Sequence, residues 1–568
     1  MQFLQIDFEY DFKINQIPNT IVNEPPNSRP KIQKKKGPKM KHFSNKKRTS
    51  KWKTIKKLTD DPYIDSNAFL EAALNASQRE RNFSLTEDAI LLCKNDCYPQ
   101  TITVTDVESR VKLQDLFYHT THRLLLYLTD QLTYLLTKDR MHIEQFTIYF
   151  SIGFDGASGY NHFNIKMTPQ QSTDEHIFAA TLVPLRLSAT NGEVIWQTPS
   201  VASTRLCRTI FLRYEKESHE LIKKTAYDLK KEIAEIKNLI FKLPNEVLIQ
   251  INSKFYMTML DGKCVAVLND TLMQSCPVCK RKPKEFHNVA IWDEDKTNRS
   301  AIEYGFSVLH NWIRIFECLL HVGYKKVTKK SRSGNTDEVK TNKLIIQQRF
   351  ESLMNIRIDV PNPRGGNSNT GNVARRAFSN SDLFGICLGF DENETVIIKR
   401  LRNILLCFTG GYKINPEKLK KYNRETYDLW LKHFYWFTQT PTLHRLLLHG
   451  HEVAAFIDLP IGLMTEEGQE SMHKIYRFVR SHHSRQSSRE NNLLDIHHAS
   501  LELSDPFYSL THFNQLKPKS KRKLPRVVLD LLEENFDESY VDETEDVYEF
   551  IFQGVDLEEY ELGSEFRD

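Results

Sequence analysis

A chain of 568 residues, 40% of them apolar, is long enough to build two to four cores. It has no run of about eighteen apolar residues that would cross a membrane as a helix. Nine cysteines, an odd number in so long a chain, argue against a disulfide framework, and 78 Lys+Arg against 73 Asp+Glu leave a net charge of only +5.

That small net charge hides two opposed blocks. Residues 27–59 hold fourteen Lys/Arg and no acid, whereas residues 530–568 hold sixteen Asp/Glu and a single basic residue, Arg567. The opening MQFLQIDFEYDF carries acids and lacks the basic-then-apolar order of a secretory leader. Pro25, Pro26, Pro30 and Pro38 keep residues 1–60 extended, so the segment reads as a flexible basic arm. Its cations, Arg29, Lys34, Lys39, Lys47 and Arg48 among them, suit phosphate contact and a nuclear-import signal alike.

Residues 61–140 have a helical pattern, as in DLFYHTTHRLLLYLTDQLTYLL. Strands follow at 146–155, 178–189 and 194–199. Phe146, Ile148, Phe150, Ile152 and Phe154 alternate with smaller or polar residues, the period-two signature of a half-buried strand, and the strand ends in Asp155-Gly156. An amphipathic helix is predicted from Ile222, Ala226, Leu229, Ile233, Ile236 and Ile240, at spacings of four and three. A further strand over 254–264 ends in Asp261-Gly262. An Asp-Gly at a strand end is ordinarily a turn. In the ribonuclease-H-like order, however, the first and fourth strands are neighbours, and the two acids would meet.

Hard divalent cations need oxygen ligands, and a pair of them clamps the attacking and leaving oxygens of a phosphoryl displacement. A third acid is expected from a later helix. Glu466, Glu467 and Glu470 open one in LPIGLMTEEGQES, where acids also simply favour the helix dipole. Cys276 and Cys279 form a CPVC pair that suits zinc or redox chemistry. LHRLLLHGH offers His444, His449 and His451 as partners or as ordinary histidines.

FDGASG (154–159), MLDGK (259–263), CPVC (276–279), SVLHNWIRIFE (307–317), GNSNTGNVARRAF (366–378), TPTLHRLLLHG (440–450), LPIGLMTEEGQES (459–471), RSHHSRQSSR (480–489) and SDPF (504–507), in this order, resemble the Transib DNA transposases. More distantly they resemble the catalytic subunit of the V(D)J recombinase. The resemblance spans roughly 145–510. It implies an α/β, ribonuclease-H-like (DDE) catalytic fold interrupted by a large helical zinc-binding insertion. It assigns two Mg²⁺ or Mn²⁺ to Asp155, Asp261 and Glu467, with Glu466 as the alternate, and a structural Zn²⁺ to Cys276, Cys279, His444 and His449. Residues 1–60 become a DNA-binding arm, 61–140 a helical dimerisation and DNA-binding region, and 141–263 the first part of the core. Residues 264–455 become the insertion, 456–515 the rest of the core, and 516–568 an acidic tail.

The implied activity is cut-and-paste transposition by a nuclear homodimer. It binds terminal inverted repeats, nicks at the element end, leaves a hairpin on flanking DNA and joins element 3′-hydroxyls to target DNA. A catalytically silent repeat-binding protein, or a metal-dependent nuclease without strand transfer, would carry many of the same motifs. Arg375 and Arg376, after the Gly/Asn loop, are expected on phosphates or at a solvated helix start. Arg477, Arg480, Arg485 and Arg489 form an expected DNA-facing strip with a solvated face as the ordinary alternative, and His482 and His483 have no derived role.

Overall fold

The structure, a computed structural model, describes residues 87–136, 144–158, 174–288, 297–331, 336–361, 366–515, 523–534, 536 and 541–542. The basic-arm residues Arg29, Lys34, Lys39, Lys47 and Arg48 lie outside these. The chain divides into two units, Met1–Cys97 and Tyr98–Asp568. In the first, Glu87–Asn95 forms helix α1.

The second unit is a mixed α/β assembly around a curled sheet. Its strands are β1 (Ile102–Val104), β2 (Glu108–Val111), β3 (Glu144–Ser158), β4 (His176–Ala189), β5 (Val194–Gln197), β6 (Arg208–Arg213), β7 (Leu239–Lys242) and β8 (Leu248–Met259). The sheet runs β1-β2-β6-β4-β3-β8-β7, with β5 paired to β4 off this path. All neighbours are antiparallel except β3 and β8, which are parallel. A parallel pair needs a crossover. Here the antiparallel β3, β4 and β6 are followed by helix α4 (His219–Glu235), which carries the chain to β7, and β8 returns between β7 and β3.

Alternation explains which side of β3 is buried. Phe146, Ile148, Phe150, Ile152 and Phe154 enter one core with helix α2 (Leu113–Tyr127), helix α4 and helix α5 (Gly262–Leu268). Each such side chain contributes about 1.5–3 kcal/mol on full burial, an upper bound because the unfolded chain already buries part of its surface. Helix α3 (Thr129–Leu135) continues from α2. On the other face, Ile177, Ala179, Val183 and Leu185 of β4 belong to a core with the later helices.

Those helices are α6 (Arg299–Ile302), α7 (Val308–Lys325), α8 (Asp337–Met354), α9 (Gly371–Ser379), α10 (Ser381–Leu388), α11 (Glu392–Thr409), α12 (Pro416–Phe434) and α13 (Pro441–Phe456). After them come α14 (Glu467–His482), α15 (Arg489–Leu503) and α16 (Pro506–Gln515). A two-stranded pair, β9 (Leu524–Pro525) with β10 (Val541–Asp542), brackets the short α17 (Arg526–Asp530).

Three expectations change. The helical reading of 61–140 gives way at 102–111, where two short edge strands extend the sheet. The strand beyond β4 on the way to the edge is β6, which the sequence reading passed over, while 194–197 merely folds back on β4. The apolar stripe of α4 stops at Glu235; Ile236 caps the helix and Ile240 lies in β7.

Candidate functional site

Parallel pairing runs β3 beside β8 to Ser151 opposite Tyr256 and, after a shift in register, sets Gly153 opposite Met259. Ser151 and Thr258, both buried, join across the pair at 2.8 Å. Two residues beyond Gly153 stands Asp155, and two beyond Met259 stands Asp261. Asp261 is the N-cap of α5, where one carboxylate oxygen accepts the Cys264 N–H at 2.7 Å. Asp155 accepts its neighbour's amide, from Gly156, at 2.8 Å.

Glu466, Glu467 and Glu470, at the start of α14, have three different environments. Glu466 is buried and crosses to the start of α7, where it accepts from Ser307 Oγ and, at 3.1 Å, from the His310 amide. An acid at a helix N-terminus is favourably placed, and these bonds, chiefly to His310, hold its carboxyl below the usual range although burial opposes them. Glu467 is also buried and is gripped by both terminal nitrogens of Arg375 from α9, a bidentate pair. Glu470 is partly exposed. Burial, then the charges of Glu466 and Glu467 against the relief of His310, push its carboxyl up to about 7.

Asp155 is pushed up to about 7 as well, by burial first and then by the charges of Asp261, Glu470 and Glu217. The fields that bear on Asp155 therefore come from Asp261, Glu470 and a fourth acid, Glu217. Glu217 lies in the loop before α4 with Lys263 Nζ 2.8 Å from one of its oxygens. Two cationic or cation-capable groups flank the cluster. His310 approaches Glu470 at 3.5 Å; burial works against its charge, but Glu466, Glu470 and Asp261 raise it to about 9. His473, one turn beyond Glu470 on α14, has Nε2 3.7 Å from Asp155, and burial followed by Arg477 lowers it to about 4, which keeps it neutral.

Sequence reasoning named Asp155, Asp261 and the glutamate turn but missed Glu217, His310 and His473 as parts of the cluster. Glu217 is one of several acids in KESHE and only the crossover geometry selects it. Glu467 and Glu470 are three apart on one helical face, and Arg375, 92 residues away in the chain, pairs with Glu467. The donors are all oxygens carrying mutually repelling charge, which fits hard divalent cations such as Mg²⁺ or Mn²⁺.

The arginines differ from expectation. Arg375 is buried against Glu467 and not on a surface. Arg480 and Arg489 are buried and both pair with Asp174, so the expected outward strip turns inward there. Arg485 is exposed but paired with Asp495 at 2.8 Å, and Arg376 donates to the Asn355 carbonyl at 3.1 Å.

The second cluster joins the loop after α5 to α13. Cys276, Cys279, His444 and His449 are all buried, with ligand atoms within 4.8 Å of one another, and they could hold a metal such as zinc. Cys279 Sγ lies 3.3 Å from His444 Nε2. Cys276, His444 and His449 hold the Cys279 thiol far below its usual range, so it is poised as a thiolate ligand. Glu452 accepts from His449 Nδ1 at 2.6 Å and from Thr297 at 2.7 Å, which leaves Nε2, itself buried without a hydrogen-bond partner, for the metal. Phe286 stacks on the His444 ring at 4.0 Å and fixes its plane. His451 lies outside the set.

No family model matches the sequence, and no curated protein matches it. Among solved structures, the chain is similar to a Drosophila P element transposase in its strand transfer complex. The two are 9% identical with a TM-score of 0.31, over 83% of this chain and 99% of that one.

Proposed function

We propose that the chain is a DDE-type DNA transposase, with a ribonuclease-H-like core split by the helical, metal-bearing segment between α5 and α14. The observation that carries this reading is the convergence of Asp155, near the end of β3, and Asp261, just past its parallel neighbour β8, with Glu470 of α14. The strand order β6-β4-β3-β8, antiparallel twice and then parallel, supports the ribonuclease-H-like assignment.

The third acid of the site is Glu470. Glu467, the residue the family resemblance selects, acts through Arg375 and fixes the start of α14 against the insertion. Asp155, Asp261, Glu470 and Glu217 would hold Mg²⁺ or Mn²⁺. Bound there, two such cations supply activation of the attacking oxygen and charge neutralisation at phosphorus. The protein's own contribution is placement: Asp261 is fixed by its helix cap, Glu470 by two anchored neighbours, and Asp155 beside a neutral His473. His310 keeps a proton beside the acids, a positive charge that limits their repulsion.

The substrate would be inverted-repeat DNA, bound by a nuclear homodimer whose basic arm supplies phosphate contacts. Nicking, hairpin formation on the flank and joining to target would follow in that order. One incubation of protein, Mg²⁺ and repeat-ended DNA tests it on denaturing gels. Hairpin plus joined product supports transposition, nicks alone reduce the protein to a nuclease, and intact DNA with retained binding leaves a silent DNA-binding protein.

A further inference from the structure

Helix α5 does more than hold Asp261 as its N-cap. It ends at Leu268, and the next turn of chain exposes two adjacent large apolar side chains, Leu272 at 71% and Met273 at 57%. Single exposed apolar residues are ordinary; a neighbouring pair on one tip is less so. This tip is also held stiffly. Thr271 N–H donates to the Ala266 carbonyl at 3.0 Å, and the Ser275 amide closes a turn on the Leu272 carbonyl at 2.8 Å. Cys276 N–H reaches the Arg281 carbonyl at 3.0 Å, and Lys280 N–H reaches the Cys276 carbonyl at 2.8 Å, so the tip grows directly out of the Cys/His knuckle. Left-handed backbone at Asp270 and Lys280 brackets it on both sides.

The knuckle is also cationic on its outside. Lys280, Lys282 and Lys284 are exposed. Of the nearby acids, Asp270 is paired with Lys223 at 2.5 Å, and Glu285 accepts the Lys282 amide at 2.8 Å. Rigid apolar tips rimmed by cations are the means by which proteins wedge between base steps while holding the phosphates on either side.

We propose that Leu272 and Met273 form a wedge that enters duplex DNA beside the acid cluster, with Lys280, Lys282 and Lys284 on the adjoining backbone. The proposal rests on the reading that this cluster works on DNA, and it adds where the duplex is gripped. Helix α5 links Asp261, its N-cap, to this tip, which follows the helix end at Leu268. Unstacking there would loosen the duplex next to the scissile bond.

The test uses the full-length protein and a linear duplex carrying 2-aminopurine at successive positions. Wild type should bind it and brighten one probe position close to the cut. Leu272→Ser with Met273→Ser, both exposed and so tolerated by the fold, should weaken binding about tenfold through lost apolar contact and abolish the brightening, with the salt slope unchanged. Lys280→Glu, Lys282→Glu and Lys284→Glu together should flatten that slope by roughly 2–3 units. Wild-type brightness and affinity in the serine variant would overturn the wedge. So would a serine variant whose only change is a smaller sedimenting species, since the tip would then cover a second copy of the chain. Cleavage is scored separately with Mg²⁺ on the same DNA. Brightening without cleavage defeats the transposase reading and leaves the wedge, whereas cleavage without brightening does the reverse.

Discussion

Glu467 and Glu470 are separated by one turn of helix, and their substitutions should fail differently. Glu470→Gln removes a charge that Asp155 opposes, so it should abolish nicking while the melting temperature stays level or rises. Glu467→Gln leaves the buried Arg375 without its anionic partner, a loss of about 3–5 kcal/mol for a buried pair, and should lower the melting temperature by several degrees. Melting curves and cleavage gels on the two proteins decide; a Glu470→Gln enzyme that still nicks would return the third-acid role to Glu467. The raised acids also give a pH signature. Asp155 and Glu470 have folded values pushed up to about 7, above the ordinary 3.8 and 4.5. Between those limits the folded state binds more protons than the unfolded one, so stability falls as pH rises. In chelator, the melting temperature should decline from about pH 5 to pH 8, and Asp155→Asn should flatten the decline. The two aspartates stood out in the sequence because each follows an apolar strand pattern and precedes a glycine, although β3 in fact runs on to Ser158 and β8 stops at Met259. The different partners of the three clustered glutamates were not legible there, because Arg375 and His310 reach Glu467 and Glu466 from other helices.

At the scale of elements, Gly153 carries the contact between β3, β8 and α14. A Cβ there would collide with the Met259 carbonyl and with the Gln469 side chain. The Met259 carbonyl cannot yield without parting the parallel pair that brings Asp155 and Asp261 together. Gly153→Ala should therefore cost about 1–3 kcal/mol through overpacking and remove cleavage beyond that loss of stability, which thermal melts and single-turnover gels at a permissive temperature would separate. Normal cleavage by the alanine variant would mean that the strand register is not what positions the acids. The Cys/His cluster ties the end of α5 to α13 across more than 160 residues, Cys279 and His444 being 165 apart. Elemental analysis should find about one zinc per chain, and Cys276→Ser should lose it and melt lower, since structural zinc contributes folding energy directly. The CPVC spacing made half of this site readable. The histidines were ambiguous because a histidine in an apolar helix is also an ordinary core or surface residue; it took the family resemblance to select them, and the carboxylate behind His449 was not visible at all. Strand β6 escaped because RTIFLR alternates poorly and both its faces are covered.

For the whole molecule, the sequence places an acidic tail over 516–568, its acids concentrated in 530–568. The structure moves that boundary. Leu524, Val528, Leu529, Leu531 and Leu532 are buried in the same core as the insertion helices. Asn415 N–H donates to the Leu531 carbonyl at 2.9 Å, and Glu533 N–H to the Lys413 carbonyl at 2.9 Å. Residues 524–534 thus serve as a strap on α12 and its preceding turn, and a cut at Arg526 would strip apolar surface from the core. The acidic residues beyond Asp542 lie outside the described residues, and a cut after Asp542 keeps every residue of the strap. Deleting 543–568 should leave the melting temperature unchanged. It should strengthen non-specific DNA binding at low salt, where the screening length reaches about 30 Å at 0.01 M, with the gain vanishing near physiological salt. Truncation at Arg526 should instead lower the melting temperature by several degrees and confound any DNA measurement made with it. The charge argument is direct, because like charge repels phosphate whether or not the tail docks on the protein. Anisotropy titrations of both truncations at two salt concentrations, read beside their melting curves, separate the effects. Equal low-salt affinity for full-length and 543-truncated protein would remove the electrostatic brake and leave the tail as a solvating or partner-binding segment.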